Sequence, residues 1–126
     1  MSYIYIASPY TDDDPDVREG RYRAVCLFTS QALSKKPGYR AVFSPIVHCH
    51  ELAKISNLPH EMLFWRDYNC AMLQQARQLK VLQLPGWETS VGVHFEWGYA
   101  KGMGIEVTFI YAEPSILAEL HSGKNT

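Results

Sequence analysis

Apolar and polar positions along the chain follow two periods, one of strands and one of helices. Residues 3–7, Tyr-Ile-Tyr-Ile-Ala, form a short apolar run of β-branched and aromatic side chains, as a buried strand does. Ser8-Pro9-Tyr10-Thr11 ends the run, and Asp12, Asp13 and Asp14 continue as a loop. Asp14 followed by Pro15 is an N-cap and first-turn pair. Beyond it Val17, the aliphatic stem of Arg21, Ala24, Val25, Phe28 and Ala32 recur at helical spacing, until Lys-Lys-Pro-Gly at 35–38 stops the helix. A second strand is expected at 39–43, broken by Ser44-Pro45, then a short helix at 50–55. Asn57-Leu58-Pro59-His60 separates this from a longer helix at 61–78, and a third strand follows at 79–84, closed by Pro85-Gly86. The next helix carries Glu96 and ends at Gly102 or Gly104. A fourth strand at 105–111, a last short helix at 114–121 and a frayed tail at 122–126 complete the pattern.

Strands alternating with helices mean β-α-β units and a parallel sheet. The expected architecture is α/β: a small doubly wound, flavodoxin-like three-layer sandwich with a four- to five-stranded, mainly parallel sheet. One domain is expected over residues 1–126, since this length fills one core and is too short for two. Ligands of such sheets bind outside the carboxyl ends of the strands. That edge comprises 7–11, 44–50 and 85–90, which makes Ser8, Tyr10, His48 and Trp87 candidate ligand contacts.

The net charge of −1 gives no broad basic surface for a nucleic-acid polymer. No apolar run approaches the ~20 residues of a membrane span. The opening Met-Ser-Tyr-Ile-Tyr lacks the basic flank and long apolar stretch of a secretory signal. Cys26, Cys49 and Cys70 are scattered and odd in number, which reads as reduced thiols of a cytoplasmic protein.

Glu96 stands out against this background. Three and four residues from it lie Gly92, Val93, Tyr99 and Ala100, so its carboxylate shares the stripe that packs inward. A buried carboxylate costs several kcal/mol unless it is paired or hydrogen-bonded. Either a cation neutralises it, or the chain uses it. The loop before it, Trp87-Glu88-Thr89-Ser90, opens the same helix, and Thr89 or Ser90 can cap it. Gly92 lets another group approach the first turn. A helix N-terminus can hold an anion such as phosphate. Such an anion would sit roughly 9 Å along the axis from Glu96, about the span from a 5′-phosphate to an anomeric carbon. The plainer alternative is a well-capped helix with a packing glycine.

Asp67 also has apolar helical neighbours, Leu63, Phe64, Cys70 and Ala71. Two inward acids on two helices suit glycosidic bond cleavage. The alternative is that Asp67 pairs with Arg66. His48-Cys49-His50 is a weak zinc pattern with no second ligand pair at a recognisable distance, so no metal is expected. A receiver-type Mg²⁺ site at Asp12–Asp14 is disfavoured, because Leu84-Pro85 stands where the aspartate of the third strand would be.

Three segments together resemble the nucleoside 2-deoxyribosyltransferase superfamily, which includes nucleoside 5′-monophosphate N-glycosidases. They are Tyr3-Ile-Tyr-Ile-Ala-Ser-Pro-Tyr10, Ser44-Pro45-Ile46, and Ser90-x-Gly-x-x-x-Glu96-x-Gly-x-Ala100, in one order over about residues 3–111. The resemblance implies that Glu96 is the nucleophile, that Tyr5 orients it and that Asp67 assists at the base. It implies no metal or organic cofactor, a small-molecule nucleotide or nucleoside as ligand, and a homodimer or higher homo-oligomer. The transferases carry an aspartate six residues before the nucleophile, whereas this chain has Ser90, as the monophosphate hydrolases do. A serine suits a phosphate dianion that an aspartate would repel. The hydrolases' glycine-rich first loop and its arginine are replaced by Ala7-Ser8-Pro9-Tyr10, leaving Arg21 or Arg23 to supply the charge. The expected activity is hydrolysis of the N-glycosidic bond of a (deoxy)ribonucleoside 5′-monophosphate. The alternatives are base exchange by a deoxyribosyltransferase and a non-catalytic nucleotide-binding module.

Overall fold

The computed structural model describes residues 2–35 and 41–121. The expected helix stop at 36–38, the first two residues of the expected second strand and the tail at 122–126 lie outside the described residues. The chain runs β1 (Ile4–Ala7), α1 (Pro15–Ser34), β2 (Val42–Phe43), α2 (Pro45–Ser56), α3 (Met62–Gln74), β3 (Gln78–Leu82), α4 (Val91–Gly102), β4 (Glu106–Ile110) and α5 (Pro114–Ala118). One 3₁₀ turn, Trp87–Thr89, precedes α4, and another, Glu119–His121, follows α5.

The helix starts follow from their caps. Asp14 accepts from the Asp16 amide at 2.8 Å ahead of Pro15. Ser44 does the same for α2, accepting from the Val47 amide at 3.3 Å ahead of Pro45. Ser44-Pro45 therefore opens a helix of 12 residues, where the sequence pattern placed only a strand break and a short helix further on. Proline suits the first helical turn because the N–H it lacks has no partner there anyway. α3 ends at Gln74, short of the expected 78, because the sheet claims the following backbone: the Arg77 amide donates to the Tyr3 carbonyl at 2.9 Å, and Gln78 pairs with Ile4.

All four strands are parallel, in the order β2-β1-β3-β4. Pleating sends alternate β1 side chains to opposite faces. Ile4 and Ile6 join Ala24, Val25 and Ile116 in one apolar cluster, under α1 and α5. Tyr5 and Ala7 join Leu73, Val93 and Ala100 in another, under α3 and α4. The result is the flavodoxin-like three-layer α/β sandwich. The order reverses between β1 and β3, which feed helices on opposite faces, so a crevice opens beyond their carboxyl ends. Among the described residues no helix is long and apolar enough to cross a membrane.

Gly20 marks where α1 meets the chain's last described turn. A Cβ there would collide with the Leu120 carbonyl oxygen. Gly20→Ala is expected to lower unfolding free energy by about 1–3 kcal/mol, the range for overpacking. Denaturant melts of the two proteins check this, and an unshifted midpoint would contradict so close an approach.

Candidate active site

The crevice holds a cavity of about 530 Å³. Its floor is Glu96, delivered by α4. The side chain is buried at 5% exposure, and among the described residues no lysine or arginine pairs with it. Instead the Tyr5 hydroxyl donates to Glu96 Oε2 at 2.5 Å, from the central strand behind it. The Asn69 amide nitrogen on α3 donates to the same oxygen at 3.5 Å. Burial lifts the Glu96 carboxyl to a pKa of about 7, and the Tyr5 hydrogen bond opposes the lift by favouring the ionised form. Tyr5 itself is pushed well above its ordinary value, by burial and then by the neighbouring carboxylate. The carboxylate is thus desolvated and faces the cavity, with no counter-ion among the described residues to quench it.

One end of the cavity suits an anion. Ser90 caps α4, its hydroxyl oxygen accepting from the Val93 amide at 3.2 Å, and leaves its own proton free to donate. Ser90 and Gly92 line the cavity beside the amides of the first turn. Arg21 reaches over from α1. Its Nη1 donates to the Thr11 carbonyl at 3.1 Å and the Tyr10 carbonyl at 3.3 Å. Gly86, at φ 96°, comes so near that a Cβ would lie 3.2 Å from Arg21 Nη2. Among the described residues Arg21 pairs with no carboxylate, so its charge is available to a ligand. Arg23 is turned outward against Glu19 at 3.2 Å and is not part of this end.

The other wall is set by a buried histidine. His50 Nε2 lies 2.9 Å from Glu19 Oε1, and Nδ1 lies 2.6 Å from the Tyr10 hydroxyl. A carboxylate accepts only, so for a neutral ring Nε2 carries the proton and Tyr10 donates to Nδ1. Tyr22 stacks on the imidazole with centroids 4.1 Å apart. Glu19, His50 and Glu51 are close enough to hold a metal ion, but Lys54 Nζ stands 3.5 Å from Glu19 and 3.6 Å from Glu51. That ammonium already supplies the cluster's positive charge.

Of the residues singled out in the sequence, Ser8, Tyr10, Arg21, Ser90, Gly92 and Glu96 line this one cavity, with Tyr5 directly behind. Three others do not. Asp67 is 99% exposed and lies 3.8 Å from Arg66, so it faces away from Glu96. The inward stripe of α3 is Trp65, Asn69, Met72 and Leu73, and Asp67 sits on the opposite face. Asn69 occupies the place expected of Asp67. Its spacing from Met72 and Leu73 was the available signal, masked by the apolar side chains Leu63 and Phe64, which are in fact exposed. His48 is exposed and stacks near Tyr68 at 5.8 Å, while His50, two positions on and so on the other side of α2, reaches the cavity. Trp87 packs on Phe109 at 5.5 Å, because the 3₁₀ turn aims it at β4.

Residues 2–113 match the family described as "Domain of unknown function (DUF1937)", and the chain belongs to that family. No curated protein matches it.

Glu96 carries a cost the fold must bear. Its folded pKa lies above the ordinary 4.5, so the folded state holds its proton more tightly. That relation makes stability fall as pH climbs from about 4.5 through about 7. Glu96→Gln keeps the shape and removes the charge. The variant is expected to exceed the parent by up to about 3 kcal/mol at about pH 9 and to match it near pH 4, in paired denaturant titrations. A gap that does not grow with pH would show that Glu96 is not a strained carboxylate.

Proposed function

We propose that this protein cleaves the N-glycosidic bond of a nucleoside 5′-monophosphate, with Glu96 as nucleophile. One observation carries the reading: a buried carboxylate with no counter-ion among the described residues faces a cavity large enough for a nucleotide, whose far end gathers a cap serine, the first amides of α4 and an arginine that meets no described carboxylate. The likeness of the Tyr5, Ser90 and Glu96 segments to nucleoside 2-deoxyribosyltransferases and monophosphate N-glycosidases supports the same assignment.

The chemistry runs in two displacements. The phosphate rests on Arg21, the Ser90 hydroxyl and the first amides of α4, which places the anomeric carbon against Glu96. A Glu96 oxygen bonds to that carbon as the carbon–nitrogen bond breaks. The bonding pair leaves with the base, which takes up a proton from water. The Tyr5 hydrogen bond holds the attacking carboxylate in line. Water then attacks the anomeric carbon, the ester carbon–oxygen bond breaks, and Glu96 is regenerated with loss of one proton. The products are free base and a sugar 5-phosphate. Because the nucleophile must be ionised, turnover belongs on the alkaline side of its pKa of about 7. The described cysteines are all free, which suits a reducing cytoplasmic setting.

Incubating the protein with each common nucleoside monophosphate and separating the mixture by chromatography tests the reading. Free base should appear with at least one substrate without an acceptor base. Release only when a second base is added would point to exchange, and tight binding with no release to a binding module. Glu96→Ala should reduce release at least about 1,000-fold while the protein stays folded. Base release at the parental rate would eliminate the mechanism.

Ser90→Asp probes the phosphate end. Aspartate also caps helices, so α4 should persist. Its charge should lower kcat/KM for a monophosphate by about tenfold or more beyond any loss for the matching nucleoside. Equal losses on the two would remove the phosphate from the proposal.

A further inference from the structure

Among the described residues three buried side-chain polar atoms have no hydrogen-bond partner: Ser8 Oγ, His60 Nδ1 and Asn69 Oδ1. All three belong to side chains that line the cavity. Buried polar atoms are almost always satisfied, so three orphans around one cavity point to an occupant that completes them. Asn69 is the most informative because its chemistry is one-sided. Its nitrogen faces Glu96 Oε2, an acceptor when the acid is ionised, and that contact fixes which way round the amide lies. The carboxamide oxygen is left over, 8% exposure being all that the whole residue shows. A carbonyl oxygen only accepts, so the occupant must bring an O–H or N–H to it.

Position narrows the donor further. Asn69 touches the carboxylate that, on the reading above, bonds to the anomeric carbon. The hydroxyl next to that carbon in a ribonucleotide is the 2′-hydroxyl. In a 2′-deoxyribonucleotide the same carbon carries only hydrogen and would leave Asn69 Oδ1 buried and unpaired. We propose that Asn69 selects ribose over 2-deoxyribose, its carboxamide oxygen accepting a hydrogen bond from the 2′-hydroxyl of the substrate. Ser8, at the end of β1 and 7% exposed, offers a hydroxyl for a further sugar oxygen. Asn69 is thereby a specificity residue, distinct from the nucleophile it touches.

This inference rests on the proposed function for the placement of the sugar, and its test is arranged to separate the two. Calorimetry with ribose 5-phosphate and 2-deoxyribose 5-phosphate, which carry no base and need no turnover, reads the sugar preference directly. The parent protein should bind the ribose form roughly 10- to 100-fold more tightly, the usual consequence of leaving a buried acceptor unpaired. Asn69→Leu, or Asn69→Ala if the first variant does not fold, should bring the two sugars to within about threefold. In parallel, kcat/KM for base release is compared between matched ribo- and 2′-deoxyribonucleoside monophosphates. The ratio cancels any general effect of losing the amide contact to Glu96. Equal binding of the two sugars, a deoxyribose preference, or a ribose preference that survives in the folded Asn69 variant would overturn the role of Asn69 while leaving base release intact. A ribose preference that depends on Asn69 in a protein that releases no base would uphold the inference and overturn the hydrolytic reading.

Discussion

The hydrogen bond between Tyr5 and Glu96, 2.5 Å long and closed to water, is the contact on which the site depends. It joins the central strand to α4 across the interior and supplies the shortest hydrogen bond that a described residue makes to this buried carboxylate. Without it the acid would keep only the longer contact from Asn69 against burial, which favours the neutral form. With a lysine or arginine in its place the acid would be settled and inert. The arrangement between these limits leaves the group near a pKa of about 7, able to exist as an anion yet not held by a cation.

The sheet order places that single contact at the floor of a cavity. β1 and β3 are neighbours whose following helices lie on opposite faces, so their ends part and leave a crevice. Each wall then has a different character, for reasons of chain geometry. The β3–α4 connection ends in a serine-capped helix start, which is electropositive. α1 crosses beside it and brings Arg21, anchored by the Tyr10 and Thr11 carbonyls. α2 contributes His50, held by Glu19 and Tyr10, and stiffens the opposite wall. Groups suited to an anion thus gather at one end of the cavity, with Glu96 deeper along the same helix.

The unpartnered atoms complete that picture. Ser8, His60 and Asn69 would each cost stability if the cavity stayed without a matching ligand. Glu96 adds to the same cost. Such groups are concentrated around one hollow, while the two apolar clusters pack on either side of the sheet.

Local sequence rules determined a good deal of this. The caps at Asp14 and Ser90, the prolines that follow turns and the two apolar periods act over a few residues, so they fixed the α/β alternation and the inward side of α4. Glu96, Ser90, Gly92, Ser8 and Tyr10 were legible because each stands in a short segment whose direction those rules set, while Tyr5 was marked only by the likeness of its segment to a known family. The rest needed tertiary structure. α3 lies at the surface, and exposed Leu63 and Phe64 shift the apparent apolar stripe, so Asp67 looked inward and Asn69 did not. The choice between His48 and His50 turned on where α2 begins, which depends on Pro45 starting a helix instead of only ending a strand. Which arginine serves the anion end was decided by Glu19, which draws Arg23 outward and leaves Arg21 beside Gly86. Spacing along a chain sets the side of a helix a residue occupies. Only packing between elements decides what that side faces.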